Sequence, residues 1–262
     1  MRTRIFNELQ TAWAGKTCLC FASLDSTNDY GKQLSKTEGV HGTLIVADTQ
    51  MAGKGRRGRV WQSPKGTTIS MSLCLEPELP TEKVAGLTLV MALAVAEGIK
   101  EMTGADPKIK WPNDIVLNGK KICGILTELC FKEGGYAVII GVGINVNTEE
   151  FPEELRDLAS SLKIETGMEV SREKLIASVL NYFEKFYRQY RQTEDLSLLK
   201  DRYEAMLANM GQEVRVLDPQ NPFTGVAKGI NSAGNLRVVC EDGEEKCIYS
   251  GEVSVRGLYG YV

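Results

Sequence analysis

Imidazole is nearly missing from this chain: His41 is its single histidine. There is also no C-x-x-C pair among the cysteines Cys18, Cys20, Cys74, Cys123, Cys130, Cys240 and Cys247, so a zinc-type cluster cannot be completed. No Ser-His-Asp or Cys-His nucleophile is supported, because His41 stands before Gly42 without a partner motif. An odd, scattered set of thiols reads as reduced cysteine in a cytosol, and the expected location is cytoplasmic. The N-terminus, MRTRIFNELQ, lacks the apolar core of a signal peptide. The longest apolar run, near Val84–Ala96, falls short of the roughly 20 residues that span a bilayer. It ends at Glu97 and predicts a buried core helix, with no membrane partner. The G-x-x-x-x-G-K-[ST] phosphate loop is absent. So is any excess of basic charge. Lys and Arg number 31 against 34 Asp and Glu, a net charge of −3, and the sequence pI is about 5.5. That balance speaks against a general nucleic-acid binder.

What remains is an ordinary globular composition, 43% hydrophobic over 262 residues, enough for about two domains. Short helices and strands alternate through the first part. The spacing predicts a helix over 3–13, a strand over 16–24, and a helix opening at DSTN (25–28) and running to about Leu34. Strands follow at 42–50 and 67–77; in the latter, Ile69, Met71, Leu73 and Leu75 alternate with smaller residues as in a half-buried strand. A core helix over about 82–103 ends at Gly104. Residues 108–129 read as strand, tight turn, strand, with NGKK as the hairpin signal, and 136–147 as a continuous apolar strand. Leu175, Ile176, Val179, Leu180, Phe183, Phe186, Tyr187 and Tyr190 form the apolar stripe of a long helix over 171–192, and another helix is expected over about 195–209. From Gly211 the texture changes to short strands with turns at Pro219, Pro222, Asn231–Ser232 and Asp242–Gly243, the pattern of a small β-barrel. The expected architecture is an α+β domain over 1–209, with a mixed sheet flanked by helices, and a β-barrel domain over 210–262.

One stretch departs from the acidic whole. GKGRRGR (53–59) sets Lys54, Arg56, Arg57 and Arg59 around Gly53, Gly55 and Gly58. It fits G-x-G-x-x-G, but a dinucleotide site needs a helix directly after the glycines. Here VWQSPKGTT follows, and Pro64, Gly66 and Thr67–Thr68 oppose a helix. Glycine costs backbone entropy and four like charges repel, so such a loop is expected to order around an anion. Guanidinium groups suit phosphate oxygens. The loop therefore reads as a phosphate- or adenylate-binding element between two strands.

Other constellations are weaker singly. KWPND (110–114) is either a structural turn with Trp111 in the core or a set of ligand contacts. Lys121, in GKKICG between Gly119 and Gly124, can reach a ligand from a hairpin. GVGIN (141–145) permits a close backbone approach. DSTN offers hydroxyls and free N–H groups at a helix start, and Gln50 leads into the cationic loop. The thin inventory of general acids and bases favours chemistry by positioning and charge neutralisation, such as activation of a carboxylate by ATP.

In this order, DSTN, TQMAGKGRRGRVWQSPKG, KWPNDIVLNGKKICGIL and GVGINVN strongly resemble biotin protein ligases, and the C-terminal β module is consistent with them. The resemblance implies a class II synthetase-like catalytic domain followed by an SH3-like barrel. It implies that biotin and ATP, with Mg²⁺, give biotinyl-5′-adenylate, whose acyl group passes to a lysine of a biotin carboxyl carrier domain. By motif, Ser26, Thr27, Asn28 and Gln50 would border the ureido ring, and Gly53, Lys54, Gly55, Arg56 and Gly124 would complete the biotin site. Lys121 would meet the biotin carboxylate and the reacting phosphate, with Arg56 the other catalytic residue. Arg57, Arg59, Trp61, Lys110, Asn113 and Asn145 would serve the nucleotide. Lys54 stands where these ligases often carry arginine, which keeps charge but loses bidentate donation. The motifs begin near residue 20, so the expectation is a monofunctional enzyme without DNA binding, monomeric or weakly dimeric. The alternatives are a lipoate or octanoate ligase of the same fold, or a nucleic-acid-binding module using the Arg/Gly loop.

Overall fold

The computed structural model describes the chain except residues 38, 219–220, 250–253 and 258–262; for 254–257 it describes the strand alone. The expected turn at Pro219 lies outside the described residues. The main domain runs α1 (Arg2–Glu8), β1 (Cys18–Phe21), α2 (Thr27–Leu34), β2 (Leu44–Ala47), β3 (Thr68–Leu75), α3 (Val84–Thr103), β4 (Lys108–Lys110), β5 (Asp114–Leu117), β6 (Lys120–Lys132), β7 (Gly135–Asn145), α4 (Leu162–Thr166), α5 (Arg172–Thr193) and α6 (Lys200–Ala205). Its strands form one mixed sheet in the order β1-β2-β3-β7-β6-β5-β4. Only β1 and β2 pair in parallel; the other neighbours are antiparallel.

The core lies between this sheet and the α3–α5 layer. Every residue of the expected α5 stripe is buried there, and Ser171 caps the helix by accepting from the Lys174 N–H. A smaller cluster of Val40, Ile45, Cys74, Ala137 and Ile139 sits on the other face, under α2. This second layer corrects the reading of β3. Its alternation suggested a half-buried strand, but all eight residues are buried. The polar Ser72 faces α2, where Thr27 and Asn28 satisfy its hydroxyl.

Three other boundaries moved for tertiary reasons. Residues 108–129 make three strands, because KIK pairs with DIVL before the NGKK hairpin. The hairpin turn itself is as expected, with Asn118 (φ 48°) and Gly119 (φ 80°) both left-handed, as a type I′ turn demands. The helix expected over 195–209 is confined to α6, because Met206 accepts from the Ile109 N–H and Ala208 donates to the Ile109 carbonyl. The first helix stops at Glu8, and the N–H groups of Ala12, Trp13 and Ala14 instead donate to the buried Glu184 carboxylate. Burial alone would raise the Glu184 pKa, but these donors hold it below the ordinary range. Its contribution to stability is therefore present above the ordinary carboxylate range and is lost as pH falls through the lowered value. Glu184→Ala orphans three backbone donors, and calorimetry should show a loss of about 2–4 kcal/mol at neutral pH.

The second domain comprises β8 (Glu213–Leu217), β9 (Phe223–Ile230), β10 (Leu236–Val239), β11 (Glu245–Ile248) and β12 (Ser254–Gly257). The order β11-β10-β9-β8-β12 returns the last strand to the first, the arrangement of an SH3-like barrel. It is seated on the main domain through a shared apolar core and through polar contacts. Leu196 N–H donates to the Ser232 carbonyl at 2.7 Å, and the Trp111 indole N–H donates to the Gly234 carbonyl at 3.0 Å. Among the described residues no helix is long and apolar enough to cross a membrane.

Candidate active site

The helix α2 opens on the sheet face opposite the main core. Ser26, extended at φ −152°, caps it by accepting from the Asp29 N–H. Capping directs the next two side chains inward, and Thr27 and Asn28 are both buried. Gln50 Oε1 accepts from the Thr27 N–H at 2.8 Å and from its hydroxyl at 3.1 Å. The Gln50 carbonyl oxygen is thus committed, and its NH₂ remains as a donor. Gly141 lets Asn28 lie against β7; a Cβ there would stand 2.3 Å from Asn28 Oδ1.

GKGRRGR is itself a small hairpin. Gly53 accepts from the Trp61 N–H at 2.9 Å, and Gly55 donates to the Arg59 carbonyl at 2.7 Å. A Cβ at Gly53 would fall 2.4 Å from the Trp61 carbonyl oxygen, so glycine is what allows the pairing. The tip is a single 3₁₀ turn over Arg56–Gly58, with Arg57 (φ 58°) and Gly58 (φ 73°) left-handed; no helix opens after it. Lys54 leaves the hairpin toward α2, where its Nζ meets Asp29 Oδ2 at 2.6 Å. Arg56 turns inward and donates to Asn113 Oδ1 at 2.9 Å. Burial and the neighbouring Arg57 and Arg59 lower its pKa, against the pull of Asp114. At the hairpin's end, the Trp61 indole covers β7; a Cβ on Gly143 would lie 2.3 Å from its ring.

KWPND supplies both of the options left open. Trp111 is core, as its burial and its bond to Gly234 show. Asn113 is nonetheless aimed at the site, held by Ile125 through the Asn113 NH₂ to Ile125 carbonyl bond and the Ile125 N–H to Asn113 carbonyl bond, both 2.9 Å. Asp114 meets Lys121 Nζ at 2.6 Å. A β-bulge explains how Lys121 arrives. Cys123 pairs with Ile115 but Lys121 pairs with Val116, so Ile122 is an extra residue. Ile122 enters the core, and Lys121 is turned to the face of Gly124, whose missing Cβ would be 3.1 Å from Lys121 Nζ.

Two joined cavities result. The smaller, of about 50 Å³, is lined by Ser26, Thr27, Asn28, Gln50, Lys54 and Gly124, among others. The larger, of about 430 Å³, is lined by Arg57, Arg59, Lys110, Asn145 and the 148–159 segment. Gly55, Arg56, Trp61, Asn113 and Lys121 line both, and so mark the junction. Of the site residues assigned by motif, Gly53 alone borders neither cavity; it closes the hairpin. The close backbone approach expected of GVGIN is made at Gly141 and Gly143, but the sequence reading did not find Ser72, Glu128 or Leu126. Nor did it find the wall made by Phe151, Leu155 and Leu158. That segment is tied to the sheet where Lys121 donates to the Leu158 carbonyl and Ser160 donates to the Lys121 carbonyl, both at 2.9 Å.

The chain thus sets a mixed sheet with a cationic hairpin over two joined cavities beside an SH3-like barrel. The pattern of the Biotin/lipoate A/B protein ligase family matches residues 20–145, and that of the Biotin protein ligase C terminal domain matches residues 210–256. The bifunctional ligase/repressor BirA of Bacillus subtilis is 40% identical over 250 residues, covering 94% of this chain and 76% of that protein. The biotin–[acetyl-CoA-carboxylase] ligase of Paracoccus denitrificans is 31% identical, over 82% of this chain and 91% of that protein. The structure of the Aquifex aeolicus biotin protein ligase with biotin and ATP superposes with a TM-score of 0.82 at 33% identity, covering 92% of this chain and 99% of that one. The chain belongs to the biotin/lipoate protein ligase family and, within it, to the biotin protein ligases.

Proposed function

We propose that this chain joins biotin to ATP as biotinyl-5′-adenylate and transfers the biotinyl group to a lysine of a biotin carboxyl carrier domain, as in acetyl-CoA carboxylase. The observation that carries the reading is the junction: Lys121 and Arg56 border both cavities, where a carboxylate from one side would meet an α-phosphate from the other. The smaller cavity suits the ureido group, a neutral unit with N–H donors and a carbonyl acceptor. Asn28 Oδ1 would accept and the Gln50 NH₂ would donate, with Ser26 and Thr27 beside them.

In the first step a biotin carboxylate oxygen attacks the α-phosphorus, the bond to the bridging oxygen breaks, and pyrophosphate leaves with its electrons. Lys121 neutralises charge on the attacking and transferred oxygens, and Arg56, Arg57, Arg59 and Lys110 neutralise the phosphates. In the second, the lysine amine attacks the acyl carbon, AMP departs, and the amide nitrogen loses its proton. Among the described residues no three carboxylate, thiol or imidazole groups gather as a metal site. Mg²⁺ binds mostly through phosphates with one or two carboxylates. Asp114 and Glu150 are the carboxylates lining the larger cavity that would meet it. The same proposal divides the chain at 1–209 and 210–262, and the family match beginning at residue 210 supports that division.

Incubation with ATP, Mg²⁺, biotin and a carrier domain should add one biotinyl mass to one lysine. A gain with lipoate alone, or none with a competent acceptor, would overturn the reading. Gly143→Ala tests the indole's place: its methyl must displace Trp61. Tryptophan fluorescence should shift in the free protein, and biotin affinity should fall about tenfold or more while the fold is retained.

A further inference from the structure

Glu128 belongs to none of the motifs that point to the site, yet it touches the side chain at the base of the smaller cavity. It lies on β6 on the same face as Gly124 and Leu126, and is half-buried. Its Oε2 accepts from Asn28 Nδ2 at 2.7 Å, and its Oε1 accepts from Lys32 Nζ at 2.8 Å. Asn28 Nδ2 also donates to the Leu126 carbonyl at 3.1 Å. A carboxylate and a carbonyl can only accept, so both amide protons of Asn28 are spoken for. On the other side Ser72 Oγ lies 2.6 Å from Asn28 Oδ1, and the hydroxyl donates to it. The amide cannot flip without setting its oxygen against Glu128 and the Leu126 carbonyl. Asn28 therefore shows its oxygen to the cavity.

The same carboxylate starts a chain of alternating charge. Lys32 Nζ also meets Asp29 Oδ1 at 2.9 Å, and Asp29 Oδ2 meets Lys54 Nζ at 2.6 Å on the cationic hairpin. Burial works against the charged forms, but the mutual hydrogen bonds lower the Asp29 pKa and raise that of Lys32. The chain thus runs from the floor of the smaller cavity to the hairpin above it, and it ends on the residue where lysine replaces the arginine expected of this loop.

We infer that Glu128 is a positioning residue: it fixes Asn28 as a hydrogen-bond acceptor for a ureido N–H and, through Lys32 and Asp29, anchors the hairpin by Lys54. The inference rests on the proposed biotin reading. Ser72 does not fix the Asn28 orientation, because its hydroxyl can turn to donate or accept; besides Glu128 the Leu126 carbonyl opposes the flip, as a neutral acceptor at the longer 3.1 Å. Without the negative charge of Glu128, that carbonyl alone opposes the flipped orientation and the acceptor is less fully populated.

The test is a double-mutant cycle on the full chain, with biotin affinity by calorimetry and release of preformed biotinyl-adenylate by rapid mixing. Glu128→Gln keeps the shape and removes the charge. Its biotin Kd should rise about tenfold, the scale of one charge-assisted hydrogen bond, while KM for ATP stays within about twofold. In an Asn28→Ala background the same substitution should change the biotin Kd less than twofold, because there is no amide left to orient. Asp29→Asn cuts the chain beyond Lys32, and should speed adenylate release several-fold with a smaller effect on biotin Kd than Glu128→Gln. Equal losses from Glu128→Gln in both backgrounds would overturn the inference, since a general packing defect is additive. If Glu128→Gln does not fold, Asp29→Asn without faster release overturns it. A wild-type chain that binds no biotin would sink the biotin reading itself; wild-type binding with an unaffected Glu128→Gln sinks only this inference.

Discussion

Lys121→Ala should reduce adenylate formation by about 10²–10³-fold, read as pyrophosphate release with saturating biotin and ATP. The residue stands at the junction of the two cavities, carried there by the bulge at Ile122. In the attack, two oxygens bearing negative charge approach one another, and Lys121 Nζ is the cation that the bulge brings to that point. The substitution does more than remove a positive charge. It also takes from Asp114, whose carboxylate is 2.6 Å from Lys121 Nζ in the wall of the larger cavity, that ion pair. Lys121→Arg, which keeps the charge, should recover part of the rate, because its longer planar group cannot reproduce the ammonium's place beside Gly124. Biotin affinity should fall much less than the rate, since Asn28 and Gln50, proposed to hold the ureido group, line the smaller cavity away from the junction. Pyrophosphate release within threefold of the wild type in Lys121→Ala would remove Lys121 from the chemistry.

The second large effect is one of retention. Arg56→Gly should allow biotinyl-adenylate to leave about 10–10²-fold faster, with its formation changed far less. Among the side chains that tie the hairpin down over the site, Arg56 reaches across to the Asn113 side chain, at 2.9 Å. Removing it cuts that tie and a cation beside the reacting phosphate together, and glycine adds backbone freedom at the tip. Premature release has a chemical signature, because the mixed anhydride acylates any accessible amine. A bystander protein mixed with Arg56→Gly, ATP, Mg²⁺ and biotin should become labelled on many lysines, whereas the wild type labels its acceptor. Clean selectivity in the variant would show that retention does not depend on Arg56.

Local chemistry carried a large share of this structure. The α5 stripe, the Ser26 cap, the Gly104 terminus of α3 (φ 68°) and the Asn118–Gly119 turn each follow from a few adjacent residues, and each stands where the sequence puts it. GKGRRGR was legible because its meaning lies in contrast: four cations and three glycines in a chain of net charge −3, with no helix-forming sequence after them. The elements that shifted are those whose partners are remote. The helix expected over 195–209 lost its end to Ile109, about a hundred residues earlier, and β3 was covered on both faces by helices that alternation within eight residues cannot announce.

The site divides along the same line. The sequence by itself determined which residue types gather: hydroxyls and amides from DSTN and Gln50, cations from the glycine hairpin, a lysine after an NG turn. These are properties of short segments, governed by capping, turn chemistry and charge. Only the tertiary structure decided which way each group faces. Ile122 had to become an extra residue for Lys121 to share a face with Gly124; Gly141 and Gly143 had to lack side chains for Asn28 and Trp61 to lie against β7. Glu128 had to come from the opposite strand to commit the Asn28 amide. Direction depends on register and on contacts across the sheet, and both are settled when distant segments pack, not when neighbouring residues choose their backbone angles.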